Sequence, residues 1–235
     1  MLNKLTSYVR RCIDDYNMID QSETIAVGMS GGKDSLALLY ALSNLSKYHP
    51  RKFNLHAVTL AMGFDNMDFT PIKELCKDMG VPYTLKQTNI AGVVFDERKG
   101  KNPCSLCARM RRAAICETIS ELGIKKIALA HQYDDAVETL LLSLIYEGRL
   151  HCFQPVTYLD RTDITQIRPM LYVTEKTIIQ MAETHKLPIV KNTCPMNGVS
   201  KREEIKTLLK TLGTTHPDIK SKIFGAMQRL PLKGW

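Results

Sequence analysis

The six residues "SGGKDS" (Ser30–Ser35) have types and a spacing that suit the binding of a phosphate group. They lie between two apolar runs, so they are expected to form the turn from a strand into a helix. Two adjacent glycines let backbone N–H groups approach an anion closely, and the positive end of the following helix faces the same point. The hydroxyl groups can donate further hydrogen bonds to phosphate oxygens. The residues expected to bind the nucleotide are Ser30, Gly31, Gly32, Lys33, Asp34 and Ser35.

This loop does not follow the pattern of a Walker P-loop. A Walker P-loop has a glycine five residues before Gly32 and a serine or threonine after Lys33, where this chain has Val27 and Asp34. A carboxylate therefore replaces the hydroxyl group that binds magnesium in a Walker P-loop. Either the loop holds phosphates in another geometry, or it is an ordinary strand-to-helix turn.

Cys104 and Cys107 form a Cys-x-x-Cys sequence at the predicted start of a helix, where the helix dipole favours the thiolate form. Such a pair suits a redox dithiol, half of a zinc site or two ligands of an iron–sulfur cluster, and a third thiol would decide among them. Cys152 lies in a predicted loop and is a candidate ligand. Helical spacing and apolar surroundings place three other cysteines in the core, namely Cys12, Cys76 and Cys116.

The stretch "HQYDDAVET" begins at His131 and contains two adjacent acids, Asp134 and Asp135. It follows a predicted strand that should neighbour the strand before the glycine loop, so His131 and the acids are expected beside the nucleotide. An aspartate there can accept a proton or orient Mg²⁺. Alternatively, Asp135 caps the helix and Glu138 completes a capping box, which is compatible with a role in the cleft.

Periodicity along the chain predicts strands that alternate with helices. The predicted strands are Thr24–Ser30, Phe53–Leu60, Pro82–Gln87, Lys125–His131 and Ile164–Leu171. The predicted helices are Leu2–Tyr16, Asp34–Leu45, Pro71–Met79, Ala108–Leu122, Asp135–Tyr146, Thr174–Lys186, Lys201–Leu212 and Pro217–Leu230. This order predicts an α/β fold with a parallel, doubly wound, Rossmann-like sheet. The glycine loop, the cysteine pair and "HQYDD" all follow strands, so they should meet at the carboxyl edge of that sheet.

Positive charge is concentrated in two segments of a chain whose formal net charge is +8. Arg98–Arg112 contains six basic residues and no acid, and Lys201–Trp235 contains eight basic residues and three acids. Such segments suit a polyanionic partner such as nucleic acid, or are solvated faces. Arg111 lies one helical turn beyond Cys107, where it can bind a phosphate or an incoming base.

Length and composition indicate an ordinary globular protein. The chain has 235 residues, of which 44% are hydrophobic, and it has no apolar run long enough for a membrane span. No signal sequence is apparent at its start, so a cytoplasmic location is expected. Its seven cysteines are an odd number, which argues against a disulfide framework.

The string "SGGKDS" is similar to the signature of the PP-loop ATP pyrophosphatases. The blocks "CSLCARMRR", "IALAHQYDDAVETLLLSLIYEGRL", "IRPMLYVTEKTI" and "FGAMQRL" resemble successive blocks of the tRNA 2-thiocytidine synthetases. The resemblance covers nearly the whole chain, although "AHQ" at Ala130–Gln132 departs from the "GHH" of the family. It implies a HUP-type domain that adenylates the C2 oxygen of a tRNA cytidine, releases pyrophosphate and replaces the oxygen with sulfur.

The same resemblance implies cofactors, partners and roles for residues. It implies ATP, Mg²⁺ and a [4Fe-4S] cluster held by Cys104, Cys107 and Cys194, with Cys194 as the third thiol. It implies that Asp135 or Asp134 acts in catalysis together with Arg111, and that His131 helps to bind the nucleotide. Its implied partners are tRNA, a sulfur donor (a cysteine desulfurase persulfide or free sulfide) and a second copy in a homodimer, with no membrane.

The expected organisation is an N-terminal helix over residues 1–20, a PP-loop ATP-binding domain over 21–190 and a basic helical extension over 191–235. Three alternative functions are a thiouridine-forming PP-loop thiolase, a tRNA amidoligase similar to lysidine synthetase, and a non-enzymatic nucleotide-binding module. Neither the amidoligase nor the binding module needs the three thiols of Cys104, Cys107 and Cys194. The thiouridine-forming relatives often carry cysteine-rich zinc modules at both termini, which neither end of this sequence has.

Overall fold

A central sheet with helices on both faces forms the protein. The computed structural model describes residues 2–98, 103–196, 198 and 201–229. The strands are β1 (Glu23–Gly28), β2 (Phe53–Ala61), β3 (Tyr83–Gln87), β4 (Lys126–Ala128), β5 (Val156–Leu159) and β6 (Ile164–Ile167). The helices are α1 (Leu2–Asp15), α2 (Lys33–Ser46), α3 (Thr70–Asp78), α4 (Pro103–Glu121), α5 (Tyr133–Glu147), α6 (Glu175–Thr184), α7 (Lys201–Thr215) and α8 (Ile219–Arg229), with a π-helix at Gly92–Glu97.

The strand order is β3-β2-β1-β4-β6-β5. All neighbouring strands are parallel except β5, which is antiparallel to β6. The order reverses at β1, which pairs with β2 on one side and β4 on the other. The predicted parallel α/β sheet is therefore confirmed, and so is the predicted pairing between β1 and β4.

Alternation along the strands divides the core into two layers. In β1, Ile25 and Val27 face the larger apolar cluster, whereas Ala26 faces a smaller cluster together with Cys116 of α4. The larger cluster also includes Leu5 of α1, and it extends to α7 and α8. The described helices of the predicted N-terminal and C-terminal segments thus pack into the same core as the central domain.

Several elements differ from the sequence-based expectations. β4 has only three residues and β6 ends at Ile167, so both strands are shorter than predicted. The edge strand β5 was not predicted, since Val156–Leu159 has four residues and is bounded by the turn that contains Asp163 at φ 53°. The π-helix at Gly92–Glu97 was also not predicted. None of the helices within the described residues is long and apolar enough to cross a membrane.

The segment after α6 crosses the carboxyl edge of the sheet and covers the glycine loop. The backbone N–H of Val190 donates to the carbonyl oxygen of Gly31 at 3.0 Å. Gly31 has φ +84°, and a Cβ at this position would lie 2.8 Å from Cβ of Val190. Further along, the hydroxyl of Thr193 donates to the carbonyl oxygen of Asp65. The segment that carries Cys194 therefore packs against the glycine loop and holds it in place.

This contact predicts that Gly31→Ala is costly for two reasons, the positive φ and the contact with Val190. Gly80→Ala is a matched control, because Gly80 has φ +67° and open space around its missing Cβ. We expect a loss of about 1–2 kcal/mol in the free energy of unfolding for Gly80→Ala and about 2–4 kcal/mol for Gly31→Ala, measured by urea unfolding. Equal losses would show that the segment with Val190 does not press on the loop.

Candidate active site

Three helix N-termini converge at the carboxyl edge of the sheet. Lys33, in the first turn of α2, forms an ion pair of 3.0 Å with Glu175, the first residue of α6. The backbone N–H of Glu175 in turn donates to the carboxylate of Asp134 in the first turn of α5 at 2.7 Å. The N-cap residues of the three helices are Gly32, Gln132 and Thr174. Because the positive ends of three helices face one region, that region favours anions.

The glycine loop is shaped by its own hydroxyl groups. The Ser35 hydroxyl donates to the carbonyl oxygen of Gly32 at 2.9 Å and accepts from the N–H of Ser30 at 3.2 Å. Ser35 is only 2% exposed, so it supports the loop from inside rather than facing a bound phosphate. Gly32 caps α2 without any side-chain hydrogen bond, which leaves the positive end of the helix free of a capping side chain.

Lys33 and Asp34 lie at the mouth of the loop. Lys33 pairs with Asp34 at 3.2 Å as well as with Glu175. Burial lowers the pKa of Lys33, but the two carboxylates outweigh burial and the net pKa is raised. The ammonium group therefore stays charged and can exchange a carboxylate partner for a phosphate oxygen.

Asp135 faces Asp34 across the cleft. One carboxylate oxygen of Asp135 accepts from the N–H of Gln132 at 3.0 Å, and the other accepts from Arg202 of α7 at 3.3 Å. Burial raises the pKa of Asp135, and the nearby charge of Asp34 raises it further. The capping box is therefore formed by Gln132 at the N-cap and Asp135 at N3, and not by Asp135 with Glu138 as the sequence suggested.

Both carboxylate oxygens of Asp134 accept hydrogen bonds from other parts of the protein. One accepts from the N–H of Glu175, and the other accepts from Lys220 of α8 at 2.5 Å. The residue is 5% exposed. Asp134 thus ties α5 to α6 and α8, whereas its neighbour Asp135 is turned toward the cleft.

Arg202 reaches three side chains of α5. One terminal nitrogen lies 3.3 Å from Asp135 and 3.1 Å from Glu138, and the other lies 3.2 Å from the hydroxyl of Thr139. Burial raises the pKa of Glu138 to about 7, and the charge of Arg202 opposes this rise. The sequence gave no specific signal for this contact, because Arg202 is one of eight basic residues in the tail.

The three cysteines named by the family resemblance lie near one another. Cys107 is buried against Ile90 and Val94, Cys104 is exposed and Cys194 is partly exposed. Burial raises the pKa of the Cys107 thiol, the thiols of Cys194 and Cys104 raise it further, and Arg111 lowers it. Three thiols and a guanidinium group therefore share one electrostatic environment, although they come from two distant parts of the sequence.

In the part of the chain that is described, no three Cys, His, Asp or Glu side chains stand close enough to hold a single metal ion. A four-iron cluster is larger than a single ion, so its ligands stand further apart, and a set of three thiols matches its preferred donors. The remaining cysteines are buried in packing positions, as predicted for three of them. They are Cys12, Cys76, Cys116 and Cys152.

Cys152 packs in the larger apolar cluster, whereas Cys107 packs in a separate small cluster with Ile90 and Val94. Its sulfur lies 3.5 Å from the carbonyl oxygen of Ala136, and burial raises its pKa to about 12. An apolar environment of this kind favours the neutral thiol, which is a poor metal ligand.

His131 packs against Phe153, with ring centroids 4.8 Å apart. Burial lowers the pKa of His131 to about 3, and the positive charges of Arg168, Arg202 and Arg111 lower it further. The imidazole is therefore neutral, and its buried Nδ1 has no hydrogen-bond partner among the described residues. A neutral imidazole can offer one donor and one acceptor to a nucleotide but cannot neutralise a phosphate.

A cavity of about 470 Å³ opens at the carboxyl ends of β2 and β3. Its walls combine apolar side chains with a few polar groups, as in many ligand sites. The lining residues include Met62, Gly63, Phe64, Phe69, Lys73 and Gln87. No motif in the sequence indicated this cavity, because its lining comes from three separate segments.

The basic segments divide into internal and exposed cations. In the tail, Arg202 and Lys220 pair with acids of α5, and Lys201 lies over the ring of Tyr146 at 3.9 Å. Besides Lys201, the exposed tail cations without an ion pair among the described residues are Lys210, Lys222 and Arg229. On α4, the exposed cations without such an ion pair are Arg109, Arg111 and Arg112, whereas Lys99 and Lys101 lie outside the described residues.

Comparisons with known proteins agree with this geometry. The PP-loop domain family matches residues 2–210. The tRNA-cytidine(32) 2-sulfurtransferase of Geobacter sulfurreducens is 34% identical over 95% of this chain and 88% of its own length. The enzyme of the same name from Pectobacterium atrosepticum is 37% identical over 97% of this chain and 76% of its own length.

A solved structure is also similar over most of the chain. The U34-tRNA thiolase NcsA of Methanococcus maripaludis, described with its [4Fe-4S] cluster, superimposes with a TM-score of 0.78 at 25% identity. The match covers 97% of this chain and 77% of the thiolase. The chain therefore belongs to the PP-loop family, which uses ATP, and within that family to the relatives of the tRNA-cytidine(32) 2-sulfurtransferases.

Proposed function

We propose that this protein is an ATP-dependent tRNA sulfurtransferase that converts a cytidine, at position 32 of the anticodon loop, to 2-thiocytidine. The observation that carries the proposal is the hydrogen bond from Val190 to Gly31, which brings the segment of Cys194 onto the nucleotide loop. The same segment brings Cys194 into the electrostatic environment of Cys107. A site for adenylation and a set of three thiols thus share one edge of the sheet.

ATP would lie along this edge with its triphosphate over the N-terminus of α2. The loop amides and Lys33 would contact the phosphates, and the cavity next to β2 has the size and apolar walls to receive the adenosine. Mg²⁺ usually takes one or two carboxylates together with phosphate oxygens. Asp34 and Asp135, whose charges interact, would supply those carboxylates.

The first step would be adenylation of the base. The C2 oxygen of cytosine attacks the α-phosphorus of ATP, the bond between the α- and β-phosphates breaks, and pyrophosphate leaves. The converging helix N-termini and Lys33 stabilise the negative charge that passes to pyrophosphate. The neutral His131 would hydrogen-bond the nucleotide.

In the second step, sulfide attacks C2 and the oxygen leaves with AMP. This exchange needs no net oxidation or reduction when sulfide is the donor. A persulfide from a cysteine desulfurase would first require two electrons and a proton to release sulfide. A [4Fe-4S] cluster bound by Cys104, Cys107 and Cys194 would supply an iron that is open to a sulfur ligand. Arg111 would hold the phosphate or the base next to the thiols. The protein would act as a homodimer.

Adenylation predicts AMP and pyrophosphate as the products of ATP when tRNA is present. Asp34→Ala should reduce pyrophosphate release by about 100-fold, because it removes a carboxylate that faces the phosphates. Nucleoside mass spectrometry of the tRNA product should show 2-thiocytidine. ADP as the product would contradict the reaction, and 2-thiouridine would move the protein to the thiouridine-forming class.

The cysteine assignment predicts two separate groups of variants. Cys104→Ser, Cys107→Ser and Cys194→Ser should each lower bound iron and sulfide and abolish thiolation, because each removes one of only three thiolate ligands. The controls are Cys76→Ser and Cys116→Ser, whose thiols are buried elsewhere in the core. The measurements are iron and sulfide content, with electron paramagnetic resonance after reduction, in protein reconstituted without oxygen. Stoichiometric zinc in active protein, or full activity in Cys194→Ser, would refute the assignment.

The exposed cations of α4 are expected to strengthen tRNA binding. Reversal of Arg109 and Arg112 to Glu should weaken tRNA binding and flatten its dependence on salt, because phosphate contacts release counterions. Reversal of Lys47 and Lys52 is the control, since these exposed residues lie at the opposite edge of the sheet, where α2 ends and β2 begins. Binding isotherms at several salt concentrations would measure both. Equal losses for the two pairs would mean that overall charge, and not α4, determines binding.

A further inference from the structure

We propose that Arg202 of the C-terminal helix α7 is a positioning residue that holds the carboxylate of Asp135 in the cleft. This inference rests on the proposed function, because it assigns a role within the same site. It does not follow from the basic character of the tail, which would place Arg202 on the RNA. The contacts of Arg202 show instead a side chain that is bound to α5.

Arg202 is anchored to α5 through both terminal nitrogens of its guanidinium group. Glu138 is 2% exposed and contacts the guanidinium at 3.1 Å, and the hydroxyl of Thr139 contacts it at 3.2 Å. A planar guanidinium held at two points has little freedom to turn. Its orientation is therefore set by α5 before any substrate binds.

The terminal nitrogen of Arg202 that contacts Glu138, Nη1, also contacts Asp135. The contact to the carboxylate is 3.3 Å, and the other oxygen of Asp135 accepts from the N–H of Gln132. Each carboxylate oxygen thus has one fixed donor, which limits rotation of the side chain. Arg202 also opposes the effect of burial on the pKa of Asp135, so it favours the ionised form.

The neighbouring acid, Asp134, forms an ion pair that only joins two helices. Asp134 pairs with Lys220 of α8 and is 5% exposed, so nothing in the cleft can reach it easily. Asp135, by contrast, has a side chain that is 27% exposed and faces Asp34. The arginine is therefore attached to the acid that substrate can approach.

The simple variant Arg202→Gln is ambiguous, because it leaves Glu138 buried without its charge partner. The double variant Arg202→Gln with Glu138→Gln removes both charges and restores a neutral pair that can hydrogen-bond. If Arg202 only compensates Glu138, the double variant should be active. If Arg202 positions Asp135, the double variant should fold normally and remain slow.

The experiment measures tRNA-dependent pyrophosphate release and the melting temperature for the single and double variants. We expect the double variant to melt close to the unmodified protein while kcat falls by about 100-fold, the usual effect of a displaced group in a site. The KM for ATP should change less than about threefold, because Arg202 does not contact the nucleotide loop. Arg202→Lys should recover part of kcat, since an ammonium group can reach one of the two carboxylates.

Two references make the result decisive. Lys201→Gln removes a charge from the first turn of the same helix without touching Asp135, and it should leave kcat unchanged. Asp135→Asn should be as slow as the double variant. If the unmodified protein releases no pyrophosphate with tRNA, the proposed function fails. If it does and the double variant keeps full kcat, only the role of Arg202 is overturned.

Discussion

The positive ends of three helices point at one edge of the sheet, and this arrangement requires negative charge there. Four carboxylates supply it, namely Asp34, Asp134, Asp135 and Glu175. Basic side chains pair with each of them, so the edge is an alternating array of charges rather than a simple anion hole. A triphosphate that enters this array can replace a carboxylate as the partner of Lys33, because Lys33 is a mobile point charge at the mouth of the loop. The electrostatic balance of the whole site therefore depends on how α2, α5 and α6 meet.

The sheet topology explains why residues so distant in sequence act together. The chain leaves β1 into the glycine loop, returns through α4 with Cys104 and Cys107, and crosses the same edge a third time with Cys194. Among the described residues, the third crossing touches the loop through Val190 and Gly31. Sulfur transfer requires the thiols to be near the activated base, and activation requires the base to be near the loop. In the proposed reaction, the five residues from Val190 to Cys194 would meet both requirements.

The sequence predicted those features that depend on local periodicity or on short motifs. The helix α1 was predicted because Leu5, Val9 and Cys12 recur at helical spacing, and all three are buried. The strand β5 was not predicted, because a four-residue edge strand has too few residues to establish alternation. The loop motif predicted that Ser35 contacts the phosphates. In the structure its hydroxyl donates to the carbonyl oxygen of Gly32, a contact that a motif cannot reveal. A composition count cannot separate Arg202 from the other tail cations, since only tertiary packing decides which of them reaches an acid.

The adjacent acids Asp134 and Asp135 show how one residue of offset changes function. They occupy positions N2 and N3 of α5, and a helix turns by about 100° between them. The first carboxylate therefore points to α6 and α8, and the second points back over the N-cap into the cleft. Both acids are held by the C-terminal helices, Asp134 through Lys220 and Asp135 through Arg202. The helix α7 thus contributes both the guanidinium that contacts Asp135 and an exposed cation, Lys210.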